Sequence, residues 1–272
     1  MATFTGNGSA NGLNGTAFAD VLRGLDGDDT IRGAGGNDRV EGNDDNDLLF
    51  GDAGNDTILG GKGEDTAYGG DGNDLMTDES GNDALYGGNG DDTIDAGEGD
   101  DIIGAGAGND LVYAGSGNDR IDLCNGNNTA YGGEGNDRVQ SGTGADRIHA
   151  GSGDDWISVG GGADLVIAGE GNDTLIGGAG NDTLSGGAGS DLMTGGVGAD
   201  VFVFTTGRDV ITDFEPGDDD IDLTAIAGLD TWAQVRATMV QQGDDVLMRF
   251  ASGSLRIEDT RIAQLDGDDF LF

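Results

Sequence analysis

The sequence predicts an all-β chain, a parallel β-solenoid finished by a small α/β C-terminal cap. Three observations carry this. From Gly24 to Val203 a nine-residue unit repeats twenty times without an inserted or deleted residue; its sixth column is Asp in nineteen copies; its eighth is apolar in all of them. A unit this short cannot bury its own apolar residue, so successive copies must stack to build a shared core.

The unit reads x-G-x-G-(Asn/Asp)-Asp-x-apolar-x, seen cleanly from Gly177 to Ser185. Its glycines permit the positive φ and close backbone approach that a tight turn needs. The last three columns, apolar at the middle one, predict a very short strand with one side chain inward and two outward. Nine residues then give one turn and one strand, and two units close a coil of eighteen. Coils stack at the strand spacing of about 4.8 Å. Asp residues eighteen apart therefore lie one above the other, and their carboxylates converge between turns. Bare, such pairs repel. A hard cation with oxygen ligands resolves the conflict, and Ca2+ accepts flexible sets of carboxylates and carbonyls.

The pattern resembles the RTX (repeats-in-toxin) parallel β-roll, whose nonapeptide G-G-x-G-x-D-x-U-x is a calcium-binding signature. The resemblance implies that the column-six carboxylates are metal ligands and that carbonyls of the Gly-rich turns complete the shell. The residues concerned are Asp20, Asp29, Asp38, Asp47, Asp56, Asp65, Asp74, Asp83, Asp92, Asp101, Asp110, Asp119, Asp137, Asp146, Asp155, Asp164, Asp173, Asp182, Asp191 and Asp200. They form two rows, one starting at Asp20 and one at Asp29, with Asn128 the one interruption. Ten gaps in the first row and nine in the second allow up to about nineteen shared Ca2+ ions. Their charge would nearly cancel the formal net charge of -41, which otherwise opposes any compact state. Gaps that touch Asn128 are expected to be the weakest.

Composition bounds the rest. With 57 Gly, one Pro and 6% aromatic residues among 272, the chain could pass for a disordered acidic polymer; strict register rejects that for the calcium-bound state and leaves it open for the metal-free one. A single cysteine, Cys124, excludes an intramolecular disulfide framework, so metal must hold the fold. Cys124 stands in a Gly column of the copy that carries Asn128, which reads as a drifted repeat, with a redox or intermolecular role as the alternative. No apolar run is long enough to span a membrane. Residues 1–14 lack the basic and apolar regions of a cleaved secretory signal. The segments 6–14 and 15–23 read as degraded copies capping the stack, with Leu13 and Leu22 inward. His149, the one histidine, has no second His or Cys ligand near it in the pattern, and no hydrolase or phosphate-loop motif is present. Charge of this sign argues against nucleic acid.

Outward side chains eighteen residues apart share a face. Phe50, Tyr68 and Tyr86 form one predicted ladder, Tyr113 and Tyr131 another on the opposite face, and Arg120, Arg138 and Trp156 a third line. Such ladders stabilise stacked strands by roughly 0.2 to 1 kcal/mol per pair; the functional alternative is an exposed stripe that docks a carbohydrate, a second roll or a cell surface.

After Val203 the period stops. The spacing predicts a strand at 209–214, a turn at 215–218, a second strand at 221–223, a helix within 228–242 with Asp230 as N-cap, and a hairpin from 246–250 and 254–257. The run from Asp209 to Leu223 is similar to the D-x-I-x-D-F-x-x-G-x-D-x-I-D-L segment that follows the repeats in RTX proteins. The ending Asp268 to Phe272 resembles the uncleaved signals of type I secretion substrates.

The expected organisation is degenerate repeats at 1–23, the calcium-binding roll at 24–203, and a capping and secretion region at 204–272. Repeats and cap leave no room for a catalytic domain, so a non-enzymatic protein is expected. It would be exported by type I secretion machinery, fold on extracellular Ca2+, and assemble with itself, end to end or laterally, into a surface layer, matrix or filament. The alternatives are an adhesin or effector that binds glycan or membrane, and an accessory calcium-binding module of a secreted enzyme such as an alginate epimerase.

Overall fold

A computed structural model describes residues 1–272. The chain divides into two compact units, Met1–Ser141 and Gly142–Phe272. In the first, strands leave each turn alternately into two parallel sheets, so that every strand pairs with those one coil before and after it. Register is strict: Leu49 lies opposite Ala67, Ala67 opposite Leu85, and Leu85 opposite Ile103, each step eighteen residues. The second unit repeats the arrangement, with Leu165 opposite Thr183 and Thr183 opposite Val201. Both units are parallel β-solenoids, as the period predicts.

The strands differ from expectation in length. Many run for six residues, such as Thr57–Lys62 and Thr174–Ala179, with two inward positions instead of one. Column eight supplies the first, including Leu22, Ile58, Ile121 and Phe202, all essentially without exposure. Column one supplies the second: Ala96, Ala105, Leu123 and Val159 are equally buried. Column one turns inward whether the strand runs through it, as at Ala105, or ends one residue before it, as at Ala96, Leu123 and Val159, because the chain keeps the pleat's alternation of sides.

Turns stack as tightly as strands. Gly72 has φ +131°, and a Cβ built on it would collide with the carbonyl oxygen of Gly54 one coil below, so column four is Gly in every copy but one, where Asp45 takes φ +79°. Column two is also left-handed, and there Cys124 adopts φ +56° with its side chain exposed.

The outward ladders form. Phe50 and Tyr68 stack with ring centroids 5.2 Å apart, Tyr68 and Tyr86 at 5.0 Å, and Tyr113 and Tyr131 at 5.0 Å. The Arg32 guanidinium lies 4.2 Å from the Phe50 ring centroid and extends the first ladder.

Beyond Val203 the coil continues further than the sequence period. Gly207–Ile211 pairs in parallel with Leu192–Val197, and Asp220–Asp222 with Val201–Val203. The hairpin forms from Asp245–Arg249 and Gly253–Ile257. The helix is shorter than its apolar spacing suggests: it spans Trp232–Ala237 with Thr231, not Asp230, at its N-cap. Met239–Gln242 pairs with 245–249 as a strand instead, since burying Met239 in the sheet competes with one more helical turn.

Replacing Cys124 with Gly should raise stability by about 1 kcal/mol, because an L side chain in the left-handed region carries a steric cost that Gly lacks. Chemical denaturation of the two proteins at fixed saturating calcium measures the difference.

Candidate metal centre

Each column-six Asp closes its turn and opens the next strand. Its carboxylate Oδ1 accepts the backbone N–H of the column-six residue one coil earlier: Asp20 N–H to Asp38 at 2.7 Å, Asp29 to Asp47 at 2.7 Å, Asp155 to Asp173 at 2.8 Å, Asp182 to Asp200 at 2.9 Å. Two rows of side chains thus run along the turns, each fastening one coil to the next. All twenty predicted Asp positions are buried.

The second oxygen, Oδ2, is the exception to this economy. Nineteen buried side-chain oxygens lack any hydrogen-bond partner, and eighteen of them are column-six Oδ2 atoms. Leaving a buried carboxylate oxygen unpaired is costly, and a native row of them requires a compensating group. In the copies with Gly in column one, a cradle free of side chain lies beside that oxygen. A Cβ built on Gly51 would stand 2.5 Å from Asp56 Oδ2 and 2.6 Å from the Gly69 carbonyl oxygen; on Gly177, 2.6 Å from both Asp182 Oδ2 and the Gly195 carbonyl. Carboxylate and carbonyl oxygens converge there with no donor. An oxygen-only set of this kind fits a hard cation such as Ca2+, which would supply the missing positive charge.

Electrostatics agree. Burial pushes Asp47 up to about 7, opposed by the Asp29 N–H and reinforced by repulsion from Asp65 and Asp29. Asp92, Asp101, Asp164 and Asp173 are likewise pushed to about 7 by burial.

Three column-six positions depart from the pattern: Asp20, Asn128, and Asp146, whose Oδ2 is outside the orphaned set. Both oxygens of Asp20 are satisfied: Oδ1 accepts the Ala2 N–H at 2.6 Å, and Oδ2 accepts the Thr16 hydroxyl at 2.6 Å and the Thr16 N–H at 2.8 Å. The Thr16 hydroxyl holds the Asp20 carboxyl below its ordinary value. Asn128 keeps the fastening, its Oδ1 accepting the Asp110 N–H at 2.9 Å. Its amide nitrogen, where other copies carry an orphaned oxygen, donates to the carbonyls of Leu123 at 3.3 Å and Gly126 at 3.4 Å. A neutral donor there satisfies the carbonyls that elsewhere face only oxygen.

Three carboxylates were missed. Asp209 and Asp219 extend the rows, accepting the N–H groups of Asp191 at 3.2 Å and Asp200 at 2.9 Å. Asp209 is eighteen residues after Asp191 and was legible on spacing alone; Asp219 is nineteen after Asp200 and was hidden by the extra residue. Asp78, in column one, is 4% exposed and joins Asp65 and Asp83 in a cluster of three acids.

Among known proteins, a family model described as the RTX calcium-binding nonapeptide repeat matches residues 5–40, 32–67, 41–76, 68–103, 77–112, 105–130, 131–166 and 167–202. No curated protein matches the chain. Among solved structures, the extracellular lipase LipA from Serratia marcescens is similar at 18% identity and TM-score 0.39 over 73% of this chain. The chain spans 40% of that lipase's length. The AlgE6R3 subunit of the Azotobacter vinelandii mannuronan C5-epimerase is similar at 28% identity and TM-score 0.29, over 48% of this chain and 78% of the subunit.

Two outcomes follow from this geometry. In chelator, acidification should favour the fold: carboxyls with an ordinary value of 3.8 are raised to about 7 when folded, so the folded chain binds more protons, and stability falls as pH rises from about 4 to about 7. Circular dichroism across that window at zero calcium checks the sign. Asn128→Asp should lower cation-free stability and raise calcium-bound stability, since it exchanges a satisfied amide for an orphaned carboxylate oxygen; thermal melts with and without calcium read both changes.

Proposed function

The chain belongs to the RTX calcium-binding nonapeptide-repeat family, and from that premise we propose that it is a secreted structural protein that folds on extracellular calcium and assembles into a surface layer, matrix or filament. The observation that carries the calcium-dependent folding is the row of buried Oδ2 atoms without partners. Asp29, Asp38 and their column-six successors would hold the ions, with turn carbonyls beside them. Neutralising the rows is what makes a compact state of this charge sustainable.

The same charge suits export. At the low calcium of a cytoplasm the acidic repeats stay extended and fit to thread a type I secretion channel. Outside, sites with extracellular-type affinities of about 10⁻⁴ to 10⁻³ M fill. Neighbouring coils fold cooperatively because each contacts only the next.

Assembly is favoured over glycan docking by the ladders. In Phe50, Tyr68 and Tyr86 the ring faces are turned onto one another, with interplanar angles of 9° and 13°. Solvent meets ring edges and hydroxyls instead of the flat faces on which sugars stack. What the surface offers is regularity, one repeated set of side chains per coil, which suits lateral association between copies of the chain.

Small-angle X-ray scattering during a calcium titration from chelator to about 10 mM tests both parts. The expected course is collapse of an expanded chain followed by growth into larger scatterers. Collapse to a persistent monomer would remove the assembly role, and an unchanged profile would remove calcium-driven folding.

A further inference from the structure

Column one holds Gly, Ala, Ser, Val or Leu in nineteen copies and Asp in one, Asp78. Because column one points into the core, this side chain is carried inward, where it is 4% exposed. Its Oδ1 is fixed by the N–H groups of Glu79 at 2.8 Å and Gly61 at 3.1 Å. Its Oδ2 has no partner.

That free oxygen faces a place already rich in negative charge. Asp65 ends the turn below and Asp83 ends the turn that Asp78 begins; both are 1% exposed, and both have an orphaned Oδ2. One carboxylate oxygen from each of the three lies within 4.8 Å of the others. Gly60 is what lets the Asp78 carboxylate in: a Cβ there would stand 2.7 Å from Asp65 Oδ2 and nearer still to Asp78 Oδ2. No Lys or Arg bridges to any of the three. Within the twenty repeats the other gaps are framed by column-six carboxylates without an acid in column one, and here a third enters from the core side.

We propose that Asp65, Asp78 and Asp83 form a three-carboxylate site for a divalent cation of calcium's size, the tightest in the chain and the first to fill. The proposal rests on the calcium reading of the repeat. Carboxylate count is the main variable by which oxygen-ligand sites set calcium affinity, and burial keeps the added charge from being screened. The first ion therefore joins the turns 60–65 and 78–83, and the neighbouring coils stack outward from that joint.

Calcium titration calorimetry on the full-length chain, with Asp78→Gly and Asp78→Asn beside it, tests this. The wild type should take up one ion per chain at calcium roughly tenfold or more below the remainder. Both variants should lose that early uptake, the gap between Asp65 and Asp83 then filling with the rest, while the final circular dichroism spectrum is unchanged. Gly60→Ala, a residue column one already accepts at Ala96 and Ala105, should abolish the same early uptake by displacing the Asp78 carboxylate. Equal first uptake in wild type and Asp78→Gly would overturn the site while leaving calcium binding by the repeat intact. Absence of uptake in every protein would overturn both.

Discussion

The hydrogen bond from a backbone N–H to the carboxylate eighteen residues later is the interaction on which the rest depends. It recurs once per nonapeptide in each unit, at 2.6 to 3.2 Å, and it fixes three things together. It sets the coil at two units, it aligns the strands so that column eight meets column eight, and it turns the second carboxylate oxygen into a space that holds only acceptors. Sheet register and cation chemistry are therefore one constraint. A substitution that spared the strand but removed the Asp would loosen the coil as well as empty the site.

The conflict between fold and charge is local before it is global. Lys62 and the arginines make a few exposed ion pairs, such as Arg23 with Glu41 and Arg261 with Asp244, and pairs of this kind contribute little. None reaches the turn rows. Eighteen column-six Oδ2 atoms thus have no internal partner, whereas Thr16 satisfies Asp20 and the Glu215 N–H satisfies Asp219. Stability is handed to the medium: the same chain is expected to be a swollen polyanion without calcium and a compact stack with it.

Much of this was legible in the sequence because a period is a strong signal. Twenty copies in register fixed the solenoid, the inward column eight, the rows from Asp20 to Asp200, and the aromatic ladders at Tyr68 and Tyr113. What escaped had identifiable causes. Reading the strand as three residues left column one in the turn, although its restriction to small and apolar residues already marked it as buried; Asp78 was overlooked for the same reason. Asp219 fell outside the count because one added residue between Ile211 and Asp219 broke the period while the strand pairing on either side was kept. The helix was overextended because Met239 suits a helical face and a strand equally well, and only tertiary pairing with Met248 decided it.

Asn128 gives the array a grammar finer than the repeat. Exchanging one oxygen for one nitrogen changes a turn from one that must recruit charge into one that closes by itself, without altering the fastening to Asp110. A tandem array can therefore be written in two letters. Asp marks joints that answer to the surroundings, and Asn marks a hinge pin that stays shut regardless. The spacing of such pins would divide a long roll into segments that melt or set independently, so that the sharpness of its response to calcium is a matter of punctuation as much as of length.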